Sequence, residues 1–219
     1  MKNIVTVVLI GMLVLAGCSA PEEEAVIAAD PMEMADPIEP APADPPAPAE
    51  PSGPQMPKLS LPIDFEDDSI DWDEAFFGFE GGEVTAVANP DPSGANTSST
   101  VGRMVKTPGP FWAGAFSHID QKFRFSEENH TITMDVWSPR ENVPVLMKIE
   151  QQTGDRTYET PVRTTTSGEW ETMTWDMTRA GFTTEWDLIT LIFDFHDGGS
   201  GDGSENFTWY FDNITVHGE

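Results

Sequence analysis

From residue 131 onward the chain alternates apolar and polar positions in short runs. "TITMDVW" (131–137) sets Ile132, Met134 and Val136 against Thr133, Asp135 and Trp137. "VLMKIE" (145–150) sets Val145, Met147 and Ile149 against Leu146, Lys148 and Glu150, and "LITLIFDFH" (188–196) sets Ile189, Leu191, Phe193 and Phe195 against Thr190, Ile192, Asp194 and His196. A period of two places successive side chains on opposite faces of a strand, so each run predicts one core face and one mixed face. "FTWYFDNITV" (207–216) reads as a last strand in which Trp209 lies opposite Tyr210, Asp212 and Ile214. Further strands are predicted near 61–66, 83–88, 100–105, 111–118, 122–125, 157–162 and 169–176, with turns at "TGD" (153–155) and "SG" (167–168). No stretch carries a long helical period. The expectation is one all-β, antiparallel β-sandwich over 59–219.

The first residues follow another pattern. Lys2 precedes an apolar run, Ile4 to Leu15, which is shorter than the ~20 residues a membrane-spanning helix needs. The run closes on Leu15-Ala16-Gly17-Cys18, and Cys18 is the only cysteine, which argues against a disulfide framework. The tetrapeptide resembles a bacterial lipobox. That resemblance implies a signal peptide over 1–17 and lipidation of Cys18, with several acyl chains giving firm anchorage; an ordinary secretory peptide is the alternative. Ser19 follows, rather than the aspartate that retains such proteins at the inner membrane, which by resemblance suggests the outer membrane, facing outward or into the periplasm. Residues 18–58 are rich in Pro, Ala and Glu/Asp and lack aromatic residues, a composition that cannot offset its ordering entropy. An extended tether with a reach on the order of 100 Å is expected.

Charge narrows the choice of partner. The chain has 38 acidic and 11 basic residues and a formal net charge of −27. Such a field disfavours nucleic acid and anionic lipid surfaces, and makes a neutral polymer more natural than a sulfated or uronic one. Solubility in a saline environment explains the same sign without any ligand.

The order "LPIDFED", "VANPDPSGANTSSTVGRMVK", "WAG", "ITMDVWSP", "LMKIE", "GEWETMTWDM", "LIFDFHDGGSGDGS" and "WYFDNITV" spans 61–216. It resembles the carbohydrate-binding-module-like jelly rolls of the galactose-binding-domain type, found on bacterial surface glycan-binding lipoproteins and beside laminarinases. The resemblance implies non-catalytic binding of a polysaccharide or oligosaccharide, with a neutral β-glucan such as laminarin favoured. It also implies service to a glycan importer or to glycanases. A structural or assembly lipoprotein that binds a partner protein of an outer-membrane complex is the alternative.

Two candidate sites follow. In jelly rolls of this kind a structural calcium often joins the first and last strands, and the matching carboxylates here are Asp64, Glu66 and Asp212. Calcium takes six to eight oxygen ligands; backbone amides bonding Asp212 would serve instead. Loop 197–205 does not match the EF-hand spacing and reads as a hairpin loop. For sugar contact the mixed faces offer Trp112, Trp137 and Trp209 as platforms, with Asp135, Lys148, Glu150, Asp194 and His196 as hydrogen-bonding groups. A solvated face of cross-strand ion pairs is the rival account. The laminarinase nucleophile motif, the Gly-x-Ser-x-Gly elbow, zinc-binding helices and phosphate loops are absent, so catalysis is not expected.

Overall fold

The structure, a computed structural model, describes residues 56–195 and 201–219. Eleven strands in chain order build two sheets. Sheet I has the order β1-β5-β10-β7-β8, with β2 also on β5; sheet II has the order β3-β4-β11-β6-β9. Sheet I comprises β1 (Lys58–Leu59), β2 (Phe77–Phe79), β5 (Gly114–Phe123), β7 (Pro144–Glu150), β8 (Thr157–Arg163) and β10 (Trp186–Phe193). Sheet II comprises β3 (Gly82–Ala88), β4 (Thr100–Lys106), β6 (Thr131–Trp137), β9 (Trp170–Asp176) and β11 (Thr208–His217). All pairings are antiparallel except that of β1 with β5. The fold is an antiparallel β-sandwich of jelly-roll form.

The period-two pattern sets the two layers. Ile132, Met134 and Val136 from sheet II face Val145, Met147, Ile149, Ile189, Leu191 and Phe193 from sheet I, and all are essentially inaccessible to solvent. Aromatic rings fill the centre. Phe193 stacks on Trp209 at 5.4 Å, while Phe65 meets Phe211 edge-on at 5.3 Å. Truncating one such ring removes ~3–5 kcal/mol.

The last strand departs from simple alternation. Its pairing with β6 shifts register between Asp212 and Thr215, and Asn213 adopts a left-handed φ of 54°. The bulge inserts one residue, so Phe211 and Ile214 both point inward. Counting back from Ile214 by twos therefore gives the wrong face for every residue before the bulge. Trp209 is fully buried in the core, contrary to the expectation that it lies on the water-facing side.

Segment 61–66 is not a strand. Ile63 makes one antiparallel bridge with Ile214, exchanging N–H···O bonds of 3.0 and 2.9 Å, and the chain then turns at Phe65, φ 57°. The runs predicted near 111–118 and 122–125 form the single ten-residue strand β5, which begins after a turn closed by Ala113 N–H on Pro110 O at 3.0 Å. A four-residue helix α1 (Trp72–Ala75), two single 3-10 turns (Thr178–Ala180 and Glu205–Phe207) and the short β1 and β2 complete the elements; their runs are too brief to show a period. Cys18 and the tether up to residue 55 lie outside the described residues, as do His196 and the 196–200 part of the last loop.

Candidate functional site

The outer face of sheet I is built in three register rows. In the first, Phe79 on β2 pairs Gly114, and Ile192 pairs Leu146, which pairs Pro161. In the second, Phe77 pairs Phe116, followed by Thr190, Lys148 and Glu159. The third runs His118, Leu188, Glu150, Thr157. Period two sends all of these away from the core. Yet Leu146, Ile192 and Thr190 are buried, although they point outward. Rising walls cover them, and the face is a cleft.

One wall is aromatic. Phe116 lies 5.1 Å from Phe77 and 6.4 Å from Phe79, and meets His118 edge-on at 5.6 Å. The end of the cleft is Trp112, 46% exposed, set edge-on to Phe111, which also contacts Phe195. The opposite side is polar. Lys148 Nζ stands 2.8 Å from Glu150 Oε1, and Thr190 Oγ1 donates to Glu150 Oε2 at 2.9 Å. The cavity enclosed is about 250 Å³. Gly114 keeps the floor open, because a Cβ there would come within 2.4 Å of Leu191 O and 2.8 Å of Ile192 Cγ1.

A buried lysine holds the aromatic end in place. Lys106 Nζ donates to Phe111 O at 2.7 Å and Phe193 O at 2.8 Å, with Asp194 O at 3.4 Å. It thereby ties the loop that carries Trp112 to the end of β10. Burial pushes its ammonium down to about 8, opposed by the charge of Asp194.

The structure brings together only part of the predicted set. Trp112, Lys148 and Glu150 share this cleft. Asp135 and Trp137 do not, because β6 and β7, consecutive in sequence, belong to different sheets; these two residues occupy the outer face of sheet II. Trp209 is in the core for the reason given above. Asp194 is buried rather than on the mixed face, since the chain turns there with φ 54° and Arg140 Nη2 donates to Asp194 Oδ2 at 2.7 Å. Sequence reasoning missed Phe79, Phe116, Glu159 and Thr190. Phe116 was available from the alternation of "GAFSHID" (114–120), where Ala115, Ser117 and Ile119 are the inward set; Phe79 was not, being in a three-residue strand.

The carboxylates matched to a calcium are each engaged by the protein. Glu66 accepts from Ser99 N–H and Oγ at 2.8 Å and from Thr100 N–H at 2.9 Å, which holds its carboxyl below the usual range. Asp64 accepts from Glu66 N–H at 3.2 Å. Asp212 is fully buried and accepts from Asn96 Nδ2 at 2.7 Å and Asn213 N–H at 2.8 Å. The Asn96 amide is oriented by Ser98 N–H on its Oδ1 at 3.0 Å, so an N–H, not an oxygen, faces Asp212. Burial is the largest influence on Asp212 and raises it to about 6. Among the described residues no three acidic, histidine or cysteine side chains converge as a cation site. Asp212 and Glu66 are met here by amide and hydroxyl donors, the alternative to a calcium ion. The aspartate's burial is offset by amide donors.

No protein-family model matches this chain, and no curated protein matches it. Among solved structures it is similar to the family 11 carbohydrate-binding module of cellulosomal cellulase Lic26A-Cel5E of Clostridium thermocellum, at 16% identity and TM-score 0.48, covering 76% of this chain and 97% of that one. A family 11 module from Clostridium thermocellum in complex with a beta-1,3-1,4-mixed-linked tetrasaccharide matches at 14% identity and TM-score 0.44, over 65% and 87% of the two chains. The CBM22-2 xylan-binding domain of Paenibacillus barcinonensis Xyn10C matches at 10% identity and TM-score 0.44, over 72% and 98%. All three are carbohydrate-binding modules.

Proposed function

We propose that this protein binds a glycan chain without transforming it, in the cleft on the outer face of sheet I. The observation that carries the reading is the composition of that cleft, with Trp112, Phe79 and Phe116 on one side and the Lys148–Glu150 pair on the other, over an apolar floor. A pyranose has the complementary chemistry, with C–H faces that lie on rings and edge hydroxyls that both donate and accept. Lys148 supplies donors only and Glu150 acceptors only, so one hydroxyl can bridge the pair. Both Glu150 oxygens already have donors, which suits an orienting group. A neutral β-glucan such as laminarin is the favoured ligand, supported by the acidic balance of the chain. In this reading Cys18 carries the lipid anchor, the residues between it and β1 hold the domain away from the outer membrane, and bound oligosaccharide is kept near an importer or glycanases.

Titration with laminarin, followed by tryptophan fluorescence and calorimetry, tests it. Trp112→Ala is expected to weaken binding about 10- to 100-fold, since losing one stacked aromatic ring removes roughly 1–3 kcal/mol. Lys148→Met should cost less, about tenfold. Unchanged binding by Trp112→Ala would overturn the assignment. A wild-type chain that captures no glycan on an array but co-purifies with an outer-membrane protein complex would favour the assembly reading instead.

A further inference from the structure

Trp137 takes no part in that cleft, yet it belongs to a second row of chemistry-bearing side chains. The register of sheet II aligns Thr85, Arg103, Tyr210, Trp137 and Trp170 side by side across all five strands. At strand spacings of ~4.8 Å the row spans about 19 Å. Tyr210 and Trp137 meet edge-on at 5.5 Å and form the floor of a cavity of about 530 Å³. Pro90 and Asp91 wall it on one side, Glu205, Asn206 and Thr208 on the other. Trp170 is pinned at the end of the row, donating from Nε1 to Asp91 O at 2.8 Å.

The same row concentrates unmet hydrogen bonding. Six buried side-chain polar atoms lack a partner among the described residues, and Thr85 Oγ1, Arg103 Nε and Trp137 Nε1 are three of them. Arg103 also forms no ion pair among the described residues, in a chain where acidic groups outnumber basic ones more than threefold. Buried donors without acceptors are rare in folded proteins, and each one calls for a specific explanation.

We infer that this groove is a second saccharide-binding site, separate from the cleft on sheet I and on the opposite outer face of the sandwich. A neutral oligosaccharide lies along the row with its ring faces on Tyr210 and Trp137. Its oxygens accept from Trp137 Nε1 and, past the end of the cavity lining, from Arg103, once the side chains that bury both atoms shift. The domain is then bivalent, and a polymer or two neighbouring polymers can engage both faces, which multiplies apparent affinity without any new contact. The ligand class is shared with the proposed function; the site rests on its own residues.

Calorimetry of the full chain with neutral hexasaccharides (laminarihexaose, cellohexaose and xylohexaose) separates the two sites. Wild type is expected to bind two equivalents. Trp112→Ala should keep one, held by the sheet II groove. Trp137→Phe keeps an aromatic ring but removes the N–H donor with the pyrrole half of the indole, so it should weaken that remaining site about tenfold. Arg103→Gln, on the same row, should weaken it similarly and guards against a folding defect in the tryptophan variant. One equivalent in wild type and none in Trp112→Ala would overturn this inference and leave the sheet I reading intact. One equivalent lost in Trp137→Phe and Arg103→Gln but kept in Trp112→Ala would do the reverse. No binding of any hexasaccharide overturns both.

Discussion

The two outer faces of the sandwich start from the same alternation and end differently. On sheet I the outward Leu146, Thr190 and Ile192 of β7 and β10 form the floor of a cleft, and aromatic side chains rise beside it. On sheet II the loop between β3 and β4 folds back over part of the face. Asn96 in that loop reaches Asp212, Asp91 receives Trp170, and outward Asp135 is sealed between Thr172 Oγ1 and Asn213 Nδ2 at 2.6 and 2.9 Å. Alternation decides which face a side chain joins. What covers that face is decided by loops that carry no period.

Two tryptophans sharpen the contrast most. Trp209→Ala, in the core, should destabilise the fold by ~3–5 kcal/mol in urea unfolding, whereas Trp112→Ala, on the open face, should change stability by less than about 0.5 kcal/mol. Equal effects would erase the distinction between the two positions. The covered face should also show in pH dependence. Asp212 is raised in the folded state from 3.8 to about 6, so its contribution is fully present below pH ~4 and is lost as pH rises through about 6. Glu66, lowered by its donors, has the opposite sign, losing its contribution as pH falls. The difference between wild type and Asp212→Asn isolates the first effect: about 2–3 kcal/mol of pH-dependent stability between pH 4 and 7 should vanish in the variant. If the two profiles run parallel, Asp212 is not sealed as described. Asn96→Ala, which strips a donor from the same carboxylate, should cost about 1–2 kcal/mol at pH 7, with the loss reduced below pH 4. The smallest effect is expected from metal removal. With its carboxylates bonded to amides and hydroxyls, the protein should melt within about 1 °C whether EDTA or millimolar calcium is present; a bound structural cation would make the melting temperature rise with calcium.

Most of the fold was legible because the long strands alternate cleanly, as in Ile132-Met134-Val136 and Ile189-Leu191-Phe193. The errors have particular causes. Trp209 was placed on the wrong face because one bulged residue, Asn213, reverses parity, and nothing in "FTWYFDNITV" marks which residue is extra. Trp137 and Lys148 were set on one surface because their strands are neighbours in sequence, while the jelly-roll path sends β6 and β7 to different sheets. Asp194 looked exposed by parity, but the strand ends at Phe193 and the chain turns the carboxylate toward Arg140. Trp112, Lys148 and Glu150 were readable as outward residues. That they share a cleft was not, since it depends on β10 lying between β5 and β7.

The central claim is that the sheet I cleft receives a glycan chain, and amide chemical-shift mapping during titration with laminarihexaose tests it most directly. The account predicts perturbations at Phe116, Lys148, Glu159 and Thr190, joined by the indole N–H of Trp112, with these signals shifting together along one binding curve. Shifts that spare β5, β7 and β10 altogether, or none at saturating sugar, would contradict it.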